Sequence, residues 1–97
     1  EPPRGEITVD AGAAEALLHR GKSLLAVGVT EVRGAFERGQ TVRLLGPDGR
    51  EIARGITYYG SEDLAIIRGL RSEEIAATVD AEYGPIVVHR DDMVMVS

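Results

Sequence analysis

The sequence predicts a small α+β domain that is mainly β, with a few short helices. Its hydrophobic 43% is almost entirely Val, Leu, Ile and Ala, and β-branched side chains favour strands. Short apolar runs alternate with turn signals rich in Gly, Pro and Asp. A chain of 97 residues provides for one hydrophobic core. These three observations predict one compact β-rich unit.

A strand, a capped helix and a second strand are predicted first. Residues 6–9 alternate polar and apolar side chains, and Asp10 occupies an N-cap position. Gly21 is a typical helix stop, and the stripe that faces the core is expected to contain Ala13, Ala14, Leu17 and Leu18. Residues 24–32 then predict one buried strand, in which Gly28 indicates a bulge or a close backbone approach.

A hairpin is predicted in the middle of the chain. Residues 41–45 and 51–58 resemble strands, and the Gly-Pro-Asp-Gly turn at 46–49 joins them. Arg54 falls on the same predicted face as Ile52, Ile56 and Tyr58. A charged side chain in an apolar row indicates an edge strand, a bulge or a contact with a partner.

Two short helices and two strand segments are predicted in the remaining third. Ser61 is expected to cap a helix that ends near residue 67, and Ser72 another that ends near Val79. Residues 86–89 and 93–96 are strand-like, separated by the charged corner Arg90-Asp91-Asp92. We expect an aspartate of this corner to accept backbone amides and Arg90 to pair with a carboxylate.

No catalytic, cofactor-binding or metal-binding residue is predicted. Gly21-Lys22-Ser23 resembles part of a phosphate loop, but it leaves a helix instead of opening one. His89-Arg90-Asp91 matches the His-Arg-Asp motif of a protein-kinase catalytic loop, but a protein-kinase domain is far longer than this chain. The two histidines show no ligand spacing. One surface remains as a candidate for phosphates or a partner's acids, with ordinary solvated surface as the alternative: His19, Arg20, Gly21, Lys22, Ser23 and Arg54.

The amino-acid composition indicates which binding partners and which cellular compartment suit the chain. The net charge of −5 disfavours nucleic acid, which requires a dense basic face. The absence of cysteine fits a reducing cytoplasm, and no apolar run is long enough to cross a membrane. Pro2-Pro3 indicates a linker, so residues 1–4 are expected to be a linker remnant and residues 5–97 the domain.

The order of these motifs resembles a PUA domain, in the version that ends glutamate 5-kinases. The general resemblance lies in Val9-Asp10-Ala11-Gly12-Ala13, Gly28-Val29, Gly34-Ala35-Phe36, Gly39-Gln40-Thr41-Val42 and Arg54-Gly55. The kinase version is indicated by Lys22-Ser23-Leu24-Leu25, Tyr58-Tyr59-Gly60-Ser61 and His89-Arg90-Asp91-Asp92. Asp92 departs from the Asn of many relatives.

The resemblance implies a pseudobarrel of about six mixed strands, with one N-terminal helix and one or two short helices. It also implies a parent chain whose amino-acid-kinase domain phosphorylates glutamate with ATP and Mg²⁺, in the first step of proline synthesis. The fragment itself would hold no cofactor. Its expected role is to regulate that domain and to contact it, within a parent that can form homo-oligomers. The alternative is RNA binding through residues 20–23.

Overall fold

The computed structural model describes residues 2–78 and 84–96. Seven strands and three α-helices lie in these residues. The strands are β1 (Gly5–Val9), β2 (Leu24–Leu25), β3 (Val29–Arg33), β4 (Thr41–Leu45), β5 (Glu51–Ile56), β6 (Ile86–Val88) and β7 (Met93–Met95). The helices are α1 (Ala11–Arg20), α2 (Ser61–Ile67) and α3 (Ser72–Ile75). The α+β class with one N-terminal helix and two short helices is confirmed.

The strands form one large and one small sheet. The large sheet has the order β3-β1-β4-β5-β7, and the small one pairs β2 with β6. β1 runs parallel to β4, whereas the other pairs are antiparallel, so the large sheet is mixed. The predicted hairpin is confirmed as β4 and β5, although β5 ends at Ile56 instead of continuing to Tyr58.

Aliphatic side chains fill the core. Most fully buried side chains are aliphatic, among them Ile7, Val9, Leu44, Leu64, Ile67 and Val87, and the buried set also includes Thr57, Phe36 and Tyr59. The helix α1 begins as predicted, because a carboxylate oxygen of Asp10 accepts the amide of Ala13 at 2.7 Å. It ends at Gly21, which has a left-handed φ of 60° that suits a residue without Cβ.

The predicted strand over residues 24–32 is broken. A 3-10 turn at Ala26–Gly28 separates β2 from β3, so the chain leaves the small sheet and enters the large one. The close approach predicted at Gly28 is confirmed, since a methyl group there would lie 2.6 Å from the Cβ of Ala13. The glycine allows α1 to pack directly against this turn.

The N-caps predicted for the two later helices are wrong. Gly60 precedes α2, and the Ser61 hydroxyl instead accepts the amide of Phe36 at 3.1 Å. Arg71 precedes α3, where its amide donates to the Glu74 carboxylate at 2.9 Å. The predicted end of α3 near Val79 lies outside the described residues.

Candidate partner-binding surface

Five of the six predicted surface residues lie together at the exit of α1. His19 and Arg20 form its last turn, and both side chains are exposed, as is that of Lys22. Ser23 is half-buried, and its hydroxyl accepts the amide of Arg90 at 2.9 Å. This bond joins the exit loop of α1 to the corner between β6 and β7. The exit loop is therefore a fixed part of the surface.

Arg54, the sixth residue, belongs to the outer face of the large sheet. The strand register places one row of residues across all five strands: Arg33, Glu6, Arg43, Arg54 and Val94. β5 lies between β4 and β7, so the predicted edge position is wrong. The predicted bulge occurs nearby, because Ile52 has no partner where Leu44 pairs with Ala53 and Leu45 with Glu51.

Ion pairs connect the arginines of this row. Glu51 accepts from Arg54, and it also accepts from the Nε of Arg43 at 3.0 Å. Arg43 also pairs with Glu6. The hydrogen bond from Arg54 holds the pKa of the Glu51 carboxyl below its ordinary value, with Arg43 assisting and partial burial opposing the shift. The same bond raises the pKa of Arg54. These paired charges fix the outer face and leave Arg54 engaged with its neighbour.

The corner at residues 89–92 has a structural role different from the one predicted. The Nδ1 atom of His89, not an aspartate, accepts a backbone amide, that of Asp91 at 3.0 Å. Asp92 accepts the Tyr58 hydroxyl at 2.9 Å. The amide of Arg90 donates to Ser23. No group of three or more metal-ligating side chains occurs among the described residues.

An apolar hollow of about 330 Å³ lies beside the exit loop of α1. Its wall on α1 consists of small residues, Gly12, Ala13 and Ala16. Leu25 and Val27 form the opposite wall, although both were predicted inside a buried strand. Leu25 is the exposed residue of β2, and Val27 is the exposed residue of the 3-10 turn that follows. No periodic signal in the sequence marks that break.

The model of the PUA domain family matches residues 5–79. The chain belongs to the PUA domain family. The match includes β1 to β5 and all three helices. It therefore includes the exit loop of α1 and the apolar hollow beside it. The resemblance seen in the sequence is confirmed.

Curated relatives of this PUA domain are named glutamate 5-kinase. The relative from Photobacterium profundum is 52% identical over 98% of this chain, which corresponds to 25% of the relative. The relative from Klebsiella pneumoniae is 51% identical over 97% of this chain and 26% of its own length. The similarity lies in the C-terminal region of these kinases. The chain thus spans about a quarter of the curated relatives it matches.

Solved structures confirm the fold of this PUA domain. A PUA domain of Aeropyrum pernix, solved as a tartrate complex, superposes with a TM-score of 0.66 and 28% identity over 89% of this chain and 41% of that one. A chain of the archaeal box H/ACA Nop10-Cbf5 complex superposes with a TM-score of 0.68 and 18% identity, over 95% of this chain and 24% of that one. Among the described residues, no helix has the length and apolar character needed to cross a membrane.

Proposed function

We propose that this chain is the PUA domain of a glutamate 5-kinase and acts on the kinase domain without performing chemistry. The observation that carries the proposal is the identity of about half of the residues over nearly the whole chain with the kinases' C-terminal region. In the parent, ATP and Mg²⁺ would be bound by the amino-acid-kinase domain. The expected compartment is the cytoplasm, and residues 1–4 would link the two domains.

The bonds of the ionisable residues support a non-catalytic role. His89 stabilises the turn after β6, Asp92 is bonded to Tyr58, and Glu51 is held between two arginines. A general acid or base must be able to reach a substrate proton. These groups are instead committed to contacts within the domain, which suits a module that serves another domain.

The test uses the complete gene product and a version that ends before Gly5. Glutamate-dependent ATP turnover, the number of subunits in solution and the proline inhibition curve are measured for both. We expect turnover to persist in the shortened protein, with a changed number of subunits or a changed inhibition curve. If the complete product shows no glutamate-dependent ATP turnover, the kinase assignment is contradicted. The same number of subunits together with the same inhibition curve would contradict the regulatory role.

RNA binding is the second candidate, favoured by the exposed Arg20 and Lys22 on the exit loop. A net charge of −5 opposes it, because the phosphate backbone contributes most of the affinity of such complexes. The discriminating measurement is a titration of RNA into the domain at two salt concentrations. A saturable signal that weakens steeply with salt, and that Lys22→Ala reduces, would establish RNA binding. We expect no such signal.

A further inference from the structure

Two exposed aliphatic side chains, Leu25 and Val27, stand side by side next to the exit loop of α1. They are 40% and 49% exposed, and we call them the aliphatic ridge. Their neighbours Leu24 and Ala26 are fully buried, so the backbone directs the ridge outward. On β3, by contrast, the exposed side chains are the polar Thr30 and the charged Glu31 and Arg33. The ridge thus has the composition of a covered surface.

Two hollows lie on either side of the ridge, one with a mainly apolar lining and one with a mixed apolar and polar lining. The hollow of about 330 Å³ lies between the ridge and α1. A second, of about 260 Å³, lies on the other side and is lined by Leu70, Pro85 and residues 71–73. Two projecting side chains between two hollows can interlock with side chains of a protein partner, as at the centres of protein interfaces.

We propose that the aliphatic ridge and its two hollows dock the amino-acid-kinase domain of the same polypeptide. This inference rests on the proposed function. The charges around the ridge are balanced, because Lys22 and Arg71 are accompanied by Asp10 and Glu73. Nucleic acid requires excess cations and favours aromatic platforms. The described lining residues contribute neither, so a protein surface suits this site better than RNA.

The size of the relatives makes this docking feasible. The 95 matched residues are 25% of the Photobacterium profundum kinase, which leaves about three quarters of its chain outside the match. A domain of that size, roughly 280 residues, has a radius of gyration of about 19 Å. The five residues of β1 cover about 17 Å between the chain's entry at Gly5 and Asp10, which lines the first hollow. A domain attached before Gly5 can therefore reach the ridge.

Photo-crosslinking in the complete gene product tests the proposal. The residue p-benzoylphenylalanine replaces Val27 in one version and, as a matched control, Val94 in another. Val94 is 73% exposed on the outer face of the large sheet, away from the ridge. We expect position 27 to crosslink to peptides from the segment before Glu1. A further Leu25→Asp substitution should lower that yield about tenfold, which corresponds to about 1.4 kcal/mol of contact energy.

Four outcomes would overturn the proposal. Two concern the crosslinked partner: residues 5–96 of a second copy, or a nuclease-sensitive RNA. The other two concern the crosslinking yield at position 27: a yield no higher than at position 94, or a yield that Leu25→Asp does not change. Mixing ¹⁴N- and ¹⁵N-labelled chains distinguishes a second copy from the same chain. If the shortened protein is nevertheless altered in its number of subunits or its inhibition curve, the proposed function stands and only this docking site is wrong.

Discussion

At the scale of single residues, Gly28 has the clearest structural requirement. Its backbone is in an ordinary conformation, but a Cβ there would lie 2.6 Å from the Cβ of Ala13, which has no rotamer to move away. We expect Gly28→Ala to lower the free energy of unfolding by about 1–3 kcal/mol through overpacking. Urea denaturation measures this change.

Gly12→Ala is the matched control for that measurement. A methyl group at Gly12 would meet only the Asp10 carboxylate, at an ordinary distance of 3.5 Å. Gly12 lies inside α1, where alanine is favoured over glycine by up to about 1 kcal/mol. The control should therefore be neutral or more stable. If both variants lose the same stability, the close packing of Gly28 against α1 is not the cause.

Glu51 makes the folded domain less stable as the pH falls into the acid range. Its pKa is lowered in the folded domain, chiefly by Arg54, so its ionised form stabilises the fold. That stabilisation is present above the unfolded pKa of about 4.3 and is lost as the pH falls through the lower folded pKa. In Glu51→Gln, we expect the deficit in unfolding free energy seen at pH 7 to shrink in acid. Glu15→Gln, on the exposed side of α1, is the control.

At the scale of elements, the cap of α1 determines where the first helix begins. The Asp10 carboxylate accepts the Ala13 amide, and loss of such a bond typically costs about 0.5–2 kcal/mol. Asp10→Ala should lower the thermal midpoint accordingly, whereas Glu15→Ala on the same helix should change it little. If Asp10→Ala and the unmodified domain have equal thermal midpoints, the Asp10 cap does not stabilise the fold.

Local chemistry made several elements predictable from the sequence. A capping aspartate, a glycine stop and a Pro-Gly turn act within a few residues, and α1 and the hairpin follow from them. The break at Ala26–Gly28 was not predictable in the same way. The turn carries the chain from the small sheet to the large one, which is a tertiary arrangement. Leu18 was predicted in the core, but it is 50% exposed and lines a hollow together with Gly46, Pro47 and Asp48 of the hairpin turn.

The candidate surface was only partly accessible to sequence reasoning. Residues 19–23 are contiguous, so their grouping followed from the helix end alone. Arg54 was separated from them by the register of the sheet, which aligns it with Arg43 and Val94. The aliphatic ridge was missed, since Leu25 and Val27 look like buried strand residues until the small sheet's edge is known.

At the scale of the whole molecule, the charges on the outer face of the large sheet are balanced within the domain, and the exposed Val94 lies in the same row. The arginines on the outer face of the large sheet are paired with Glu6, Glu31 and Glu51, so they provide little free charge for a polyanion. The aliphatic ridge lies elsewhere, between two hollows. This arrangement fits a domain whose partner is a protein surface.

Hydrogen exchange tests most directly whether this domain is built to pack against the rest of its chain. The exchange rates of the β4 amides of Val42 and Leu44, both fully buried, are compared between the isolated domain and the complete gene product. Core amides exchange through global opening, so a docked kinase domain that contributes about 1.4 kcal/mol should slow them about tenfold. Leu25→Asp in the complete product should restore the faster rate. Equal rates in the isolated domain and the complete product would contradict the account.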